Sequence, residues 1–178
     1  MSRCGSRAPA GSRAVEPAAA SGGGHPPRPP IPIVPFDAGA PTWLEGCLGA
    51  GAPAVEREVR AERPGPEPPL EVVDVAAAVD AGRDAAAAAA AEGVTVLIGT
   101  GGASERGDRV TEALAAAEHG PLGTLRRHGD AEIAFLCGLA LGAGEHGLAY
   151  VADGSAARAG AAVAIALEPD LRPRVRNA

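Results

Sequence analysis

Proline divides this chain. Fourteen of its 17 prolines lie in residues 1–69, and only Pro121, Pro169 and Pro173 come later. Proline fixes φ and lacks a backbone donor, so it breaks helix interiors and central strands, and a packed domain is expected only from Leu70 onward. Residues 1–36 contain Ser21-Gly-Gly-Gly24 and His25-Pro-Pro-Arg-Pro-Pro30. They offer too little apolar surface to offset the entropy of ordering, and a disordered Pro/Gly/Arg-rich tail is expected there. Residues 37–69 are expected as a linker. Within it Trp43, the sole tryptophan, stands beside Leu44 and Leu48 and predicts a short helix in 37–50 that docks on the main domain. Residues 70–178 are the expected α/β domain.

Composition removes several classes of function. Sixteen basic residues, all arginine, face 22 acidic ones, for a net charge of −6. A general nucleic-acid binder would carry a basic face instead. No apolar run approaches the roughly 20 residues that span a bilayer, and no apolar segment resembles a secretory leader, so the cytoplasm is the expected location. Cys4, Cys47 and Cys137 are odd in number and far apart, which excludes a disulfide framework and any CxxC motif. His25, His119, His128 and His146 show no HxxxH spacing, so neither a metal site nor a cofactor is expected. Aromatic residues make up only 2% of the chain, leaving a core of Ala, Val, Leu and Ile.

Beyond the linker the periodicities are regular. Residues 70–92 are free of proline, with Val72, Val75, Ala76 and Val79 at i, i+3, i+4 and i+7, predicting a helix that ends at Gly93. Residues 94–98, Val-Thr-Val-Leu-Ile, read as a buried strand. A glycine-rich loop at 99–107 precedes Asp108, the predicted N-cap of a helix to about residue 118. Residues 121–128 predict a short helical turn. Asp130 is the predicted cap of a helix to His146, apolar on two faces and therefore buried. A second strand at 148–151, a loop at Asp153-Gly154 and a helix at 156–167 complete the series. This order predicts a Rossmann-like parallel sheet with crossover helices. Only two strands are legible, so the sheet is expected to be partial or minimal, either part of a domain or a domain that needs a partner.

In open α/β sheets ligands bind at the carboxyl ends of the strands. Two polar loops fall there: Gly99, Thr100, Gly101, Gly102, Ser104 and Arg106 after the first strand, and Asp153, Gly154 and Ser155 after the second. The glycines would free backbone N–H groups for a phosphate, and the following helix would present its positive end. The pattern is neither a Walker A loop nor a dinucleotide fingerprint, and a plain strand-to-helix turn fits it equally. Asp153 fits a ligand contact or an Asx turn. Glu132 reads as dipole compensation in a first turn, His119 and His146 as helix C-terminal residues, and Cys137 as a core residue.

Residues 125–172 resemble the nicotinate-nucleotide:dimethylbenzimidazole phosphoribosyltransferase family. The residues concerned are Leu125-Arg-Arg-His-Gly129, Glu132-Ile-Ala134, Gly138, Leu141-Gly-Ala143, Gly147-Leu148, Val151, Asp153-Gly154, Ala161-Ala162, Pro169 and Arg172-Pro173. Residues 70–98 look like the family's helix-then-strand approach to its phosphate loop. The resemblance implies transfer of phosphoribose from nicotinate mononucleotide to dimethylbenzimidazole in cobalamin lower-ligand synthesis, with Gly129 joining the loop residues at the site. It also implies a homodimer or a complementing chain as partner. The chain departs from the family's pattern at several points. The family's Gly-Glu-Met-Gly and Asn-Thr-Thr are replaced within 99–107, the second glycine of its Gly-Gly is Asp130, and the aromatic residue after Asp-Gly is Ser155. The family's general base is a glutamate in a His-x-Ser-x-Glu segment that would follow Ala178, so no catalytic residue is assigned. Loss of such a base costs about 10²–10⁴-fold in rate. The alternatives are a non-catalytic relative that binds a nucleotide or a protein, or a truncated remnant.

Overall fold

The computed structural model describes residues 40–61 and 72–178; the expected tail at 1–36 lies outside the described residues. The order is α1 (Ala40–Leu48), β1 (Glu56–Arg60), α2 (Val72–Ala91), β2 (Val96–Thr100), α3 (Glu105–Ala116), α4 (Pro121–His128), α5 (Ala131–Glu145), β3 (Ala149–Asp153), α6 (Ser155–Leu167), a 3₁₀ turn (Pro169–Arg174) and β4 (Val175–Asn177). The strands form one four-stranded sheet in the order β1-β2-β3-β4, every pairing parallel.

This is the expected α/β fold, with twice the strands that were legible. The segment expected as linker supplies the edge strand β1, in register with β2 from Glu56 opposite Val96 to Arg60 opposite Thr100. Its sequence, Glu-Arg-Glu-Val-Arg, has one apolar residue and alternates between exposed and half-buried positions, as suits an edge guarded by charge. β2 and β3 each run about two residues further toward their carboxyl ends than expected.

Parallel neighbours taken in chain order and joined by right-handed crossovers place their connecting helices on one face. Accordingly Leu97, Tyr150, Ala152 and Val175 pack with α2, α5 and α6. The opposite face, with Val96, Ala149 and Val151, packs against Trp43, Leu44, Cys47 and Leu48 of α1. α5 is buried almost all round, as its two apolar stripes predict. Burial pushes the Cys137 thiol up to about 12, consistent with a core role.

Helix α5 meets both neighbours through glycine. A Cβ at Gly138 would lie 1.9 Å from the Val79 carbonyl oxygen of α2, and one at Gly82 would lie 2.1 Å from the Phe135 carbonyl oxygen. On the α6 side, a Cβ at Gly160 would lie 2.8 Å from the Cys137 nitrogen. Backbone therefore touches backbone across these crossings, and the alanine-rich α2 adds no bulk to separate them.

Tyr150 fills the space beneath β2. A Cβ at Gly99 would lie 2.1 Å from its hydroxyl oxygen, and that hydroxyl is buried with no hydrogen-bond partner among the described residues. Burial pushes its ionisation well above the ordinary tyrosine range. An unmet buried hydroxyl costs about 1–3 kcal/mol. Tyr150→Phe is therefore expected to raise stability by about 1 kcal/mol, read as a higher urea midpoint. A clear loss of stability would contradict the assignment of that hydroxyl as unmet.

Candidate functional site

Both sequence-predicted loops emerge at the carboxyl ends of β2 and β3, whose last residues Thr100 and Asp153 are register partners. The Gly101 N–H donates to the Asp153 carbonyl oxygen at 2.9 Å. The Ser104 N–H donates to Ser155 Oγ at 2.7 Å, and the Ala156 N–H reaches the Gly102 carbonyl oxygen at 3.4 Å. Gly154 makes the joint possible: its φ is +88°, and a Cβ there would lie 1.7 Å from the Gly101 carbonyl oxygen. No L side chain fits that conformation and that space together.

Ser104, rather than Asp108, caps α3. Its backbone is extended, and its hydroxyl accepts from the Gly107 N–H at 3.3 Å, the third-residue geometry of an N-cap. Helix α3 thus starts earlier than expected and carries Arg106 in its first turn. Arg106 Nη1 donates to the Gly129 carbonyl oxygen at 3.2 Å, which brings the end of α4 to the same region. Next to it Asp130 caps α5 as expected, accepting from the Ile133 N–H at 2.9 Å.

Glu132 does more than the expected dipole compensation. It is 3% exposed, and its Oε1 accepts from the Gly102 N–H at 3.0 Å. A fixed protein carboxylate thus sits on one of the amides that the glycine run was expected to offer to an anion. The amides of Gly101, Ser104 and Gly107 are likewise taken by the chain itself. The Thr100 hydroxyl, by contrast, is buried without a partner among the described residues. Helix α6 begins after Gly154 with no side-chain cap and no acidic residue in its first turn.

Beside these loops a cleft of about 400 Å³ opens between α3, α6 and the end of β4, lined by Asp108, Thr111, Glu112, Ser155, Arg158 and Asn177. That volume lies in the range of small-ligand sites. The sequence reading missed Arg158 and Asn177. Arg158 was legible as a cation one helical turn after Gly154, whereas Asn177 depends on β4, which is three residues long.

Residues 99–176 match the family model described as a phosphoribosyltransferase. A crystal structure of the nicotinate-nucleotide-dimethylbenzimidazole phosphoribosyltransferase from Thermus thermophilus is similar, with a TM-score of 0.52 and 25% identity, over 61% of this chain and 42% of that one. The structure of CobT from the same organism is similar in fold, with a TM-score of 0.53 and 21% identity, over 83% of this chain and 64% of that one. The chain thus spans less than two thirds of the length of these solved structures. No curated protein matches it. Among the described residues no helix is long and apolar enough to cross a membrane. In fold, and in sequence from Gly99 to Arg176, this chain is similar to phosphoribosyltransferases of the nicotinate-nucleotide:dimethylbenzimidazole type.

Proposed function

We propose that the chain binds nicotinate mononucleotide through Gly99, Thr100, Gly101, Gly102, Ser104, Arg106, Gly129, Asp153, Gly154 and Ser155, and serves phosphoribose transfer to a benzimidazole. The observation that carries this reading is the interlock of the two polar loops at the carboxyl edge of the parallel sheet, inside the segment that matches the phosphoribosyltransferase model. In the reaction an acceptor nitrogen attacks the ribosyl C1, the bond to nicotinate breaks, and the acceptor's proton is lost. Nicotinate departs from a cationic pyridinium with little acid help, so holding the two rings in line carries much of the rate. Arg106, lifted to the loop by the first turn of α3, is the proposed phosphate ligand, because a guanidinium matches phosphate oxygens in pairs. A homodimer or a complementing chain is proposed to supply the proton acceptor.

The test is calorimetric titration of nicotinate mononucleotide into the purified chain, paired with detection of ribazole phosphate. Binding is expected, with slow product formation by the isolated chain. Arg106→Ala is expected to weaken binding by about tenfold or more, since a hydrogen bond to a charged group contributes about 1.5–3 kcal/mol. A second reading, a non-catalytic relative, is favoured by one observation: the loop amides of Gly101, Gly102, Ser104 and Gly107 donate to the chain's own acceptors. Absence of any nucleotide binding would decide for a protein-binding relative or a truncated remnant.

A further inference from the structure

Glu118, His119 and His128 come together at the corner between α3 and α4, where His128 ends α4 just before Gly129. One ligand-type atom from each lies within 4.8 Å of the others. In sequence the two histidines are widely spaced and suggest nothing, hence the expectation of no metal site. In space they face each other because α3 ends on Ala117 in the left-handed conformation and the chain turns at once into α4. Buried Leu125 seats α4, and Thr124 Oγ1 donates back to the His119 carbonyl oxygen at 3.5 Å. The imidazole centroids are 6.5 Å apart with planes 19° from parallel.

Two further observations concern the ring nitrogens. His128 Nε2 is buried and has no hydrogen-bond partner among the described residues, an unusual state for a ring nitrogen in a protein interior. His119 Nε2 lies 3.2 Å from Arg127 Nη1. A guanidinium only donates, so that nitrogen is the acceptor and carries its proton on the other side. His119 thus meets Arg127 through an acceptor nitrogen, and His128 Nε2 is left without a partner among the described residues.

We propose that Glu118, His119 and His128 form a binding site for a divalent zinc-like ion. Two neutral imidazoles and one carboxylate make a His₂Glu set, which zinc accepts with a fourth position left for water. Tetrahedral bonds of about 2.0 Å would bring the ligand atoms to about 3.3 Å from one another, a closure within reach of the exposed Glu118 and half-buried His119 side chains. Arg127 is the competitor: its cation occupies the His119 lone pair and must swing away as the ion enters. The ion would then clasp the end of α3 to the end of α4.

The experiment titrates Zn²⁺ into the full, tag-free chain by calorimetry, and Co²⁺ with visible absorption as a geometry readout. One ion per chain is expected at this site, with the absorption of tetrahedral cobalt. His119→Ala and His128→Ala should each weaken binding by more than about 100-fold, since even outer-shell partners of a metal cost about 10–100-fold. Arg127→Ala should tighten binding, a gain that a merely structural cluster would not show. His119 lies outside the helices, so His119→Ala keeps the test decisive if His128→Ala fails to fold. Zinc affinity unchanged in His119→Ala, or cobalt absorption of an octahedral aquo ion, would overturn the proposal.

Discussion

Placing valine at Gly138 is expected to destabilise the domain by about 3 kcal/mol, the upper end of what overpacking usually costs. The new side chain would begin 1.9 Å from the Val79 carbonyl oxygen, a backbone atom inside the hydrogen-bonded interior of α2. No rotamer relieves that contact, so α2 and α5 must separate. The separation would expose Val75, Val79, Ala86 and Ala89, all buried in the main core. A domain of this size has about 5–15 kcal/mol of stability in total, so the variant should lose a large part of it. Urea denaturation followed by far-UV circular dichroism reads the effect as a lower midpoint. An unchanged midpoint would mean that the helices cross at a greater distance.

Trp43→Ala is expected to cost about 3–5 kcal/mol, the range for truncating a large buried aromatic side chain. Trp43 is 8% exposed. Its Nε1–H donates to the Pro173 carbonyl oxygen at 2.6 Å, and the Arg176 guanidinium lies 5.1 Å from its ring centroid. The indole thus ties α1 to both the 3₁₀ turn and β4 while covering Val96, Ala149 and Val151. Truncation should release α1 even where the rest stays folded. Cys47 reports that release: burial holds its thiol above the ordinary cysteine range, and its Sγ sits 3.6 Å from the same Pro173 carbonyl oxygen. Alkylation of Cys47 should therefore quicken in the variant while Cys137 stays protected. Equal alkylation rates in the variant and the parent chain would show that α1 docks without its tryptophan.

The main helices and the two central strands were legible because each buries a face with its own period, or is apolar throughout. β1 was not, since an edge strand with one valine among four charges carries no apolar alternation. β4 has three residues and takes its place from pairing with β3. The cap of α3 was misplaced because both Ser104 and Asp108 are good capping types, and only the seating of Ser104 against Ser155 selects the earlier one. At the candidate site the residues at the strand ends could be read from their place after each strand. The occupation of their amides could not, because the acceptors Glu132, Asp153 and Ser155 lie far along the chain on other elements.

The joint at Gly154 has a consequence for how such a site changes over time. Where the two loops press together most tightly, the contact is between main-chain atoms, the Gly154 Cα against the Gly101 carbonyl oxygen. Main-chain atoms are common to every residue type, so exchanges at Ala103, Glu105 or Asp153, whose side chains are exposed, leave that joint in place. Those exposed positions can then vary while the platform beneath them keeps its shape. Gly154 itself is the fixed point, and any side chain there would shift both loops at once.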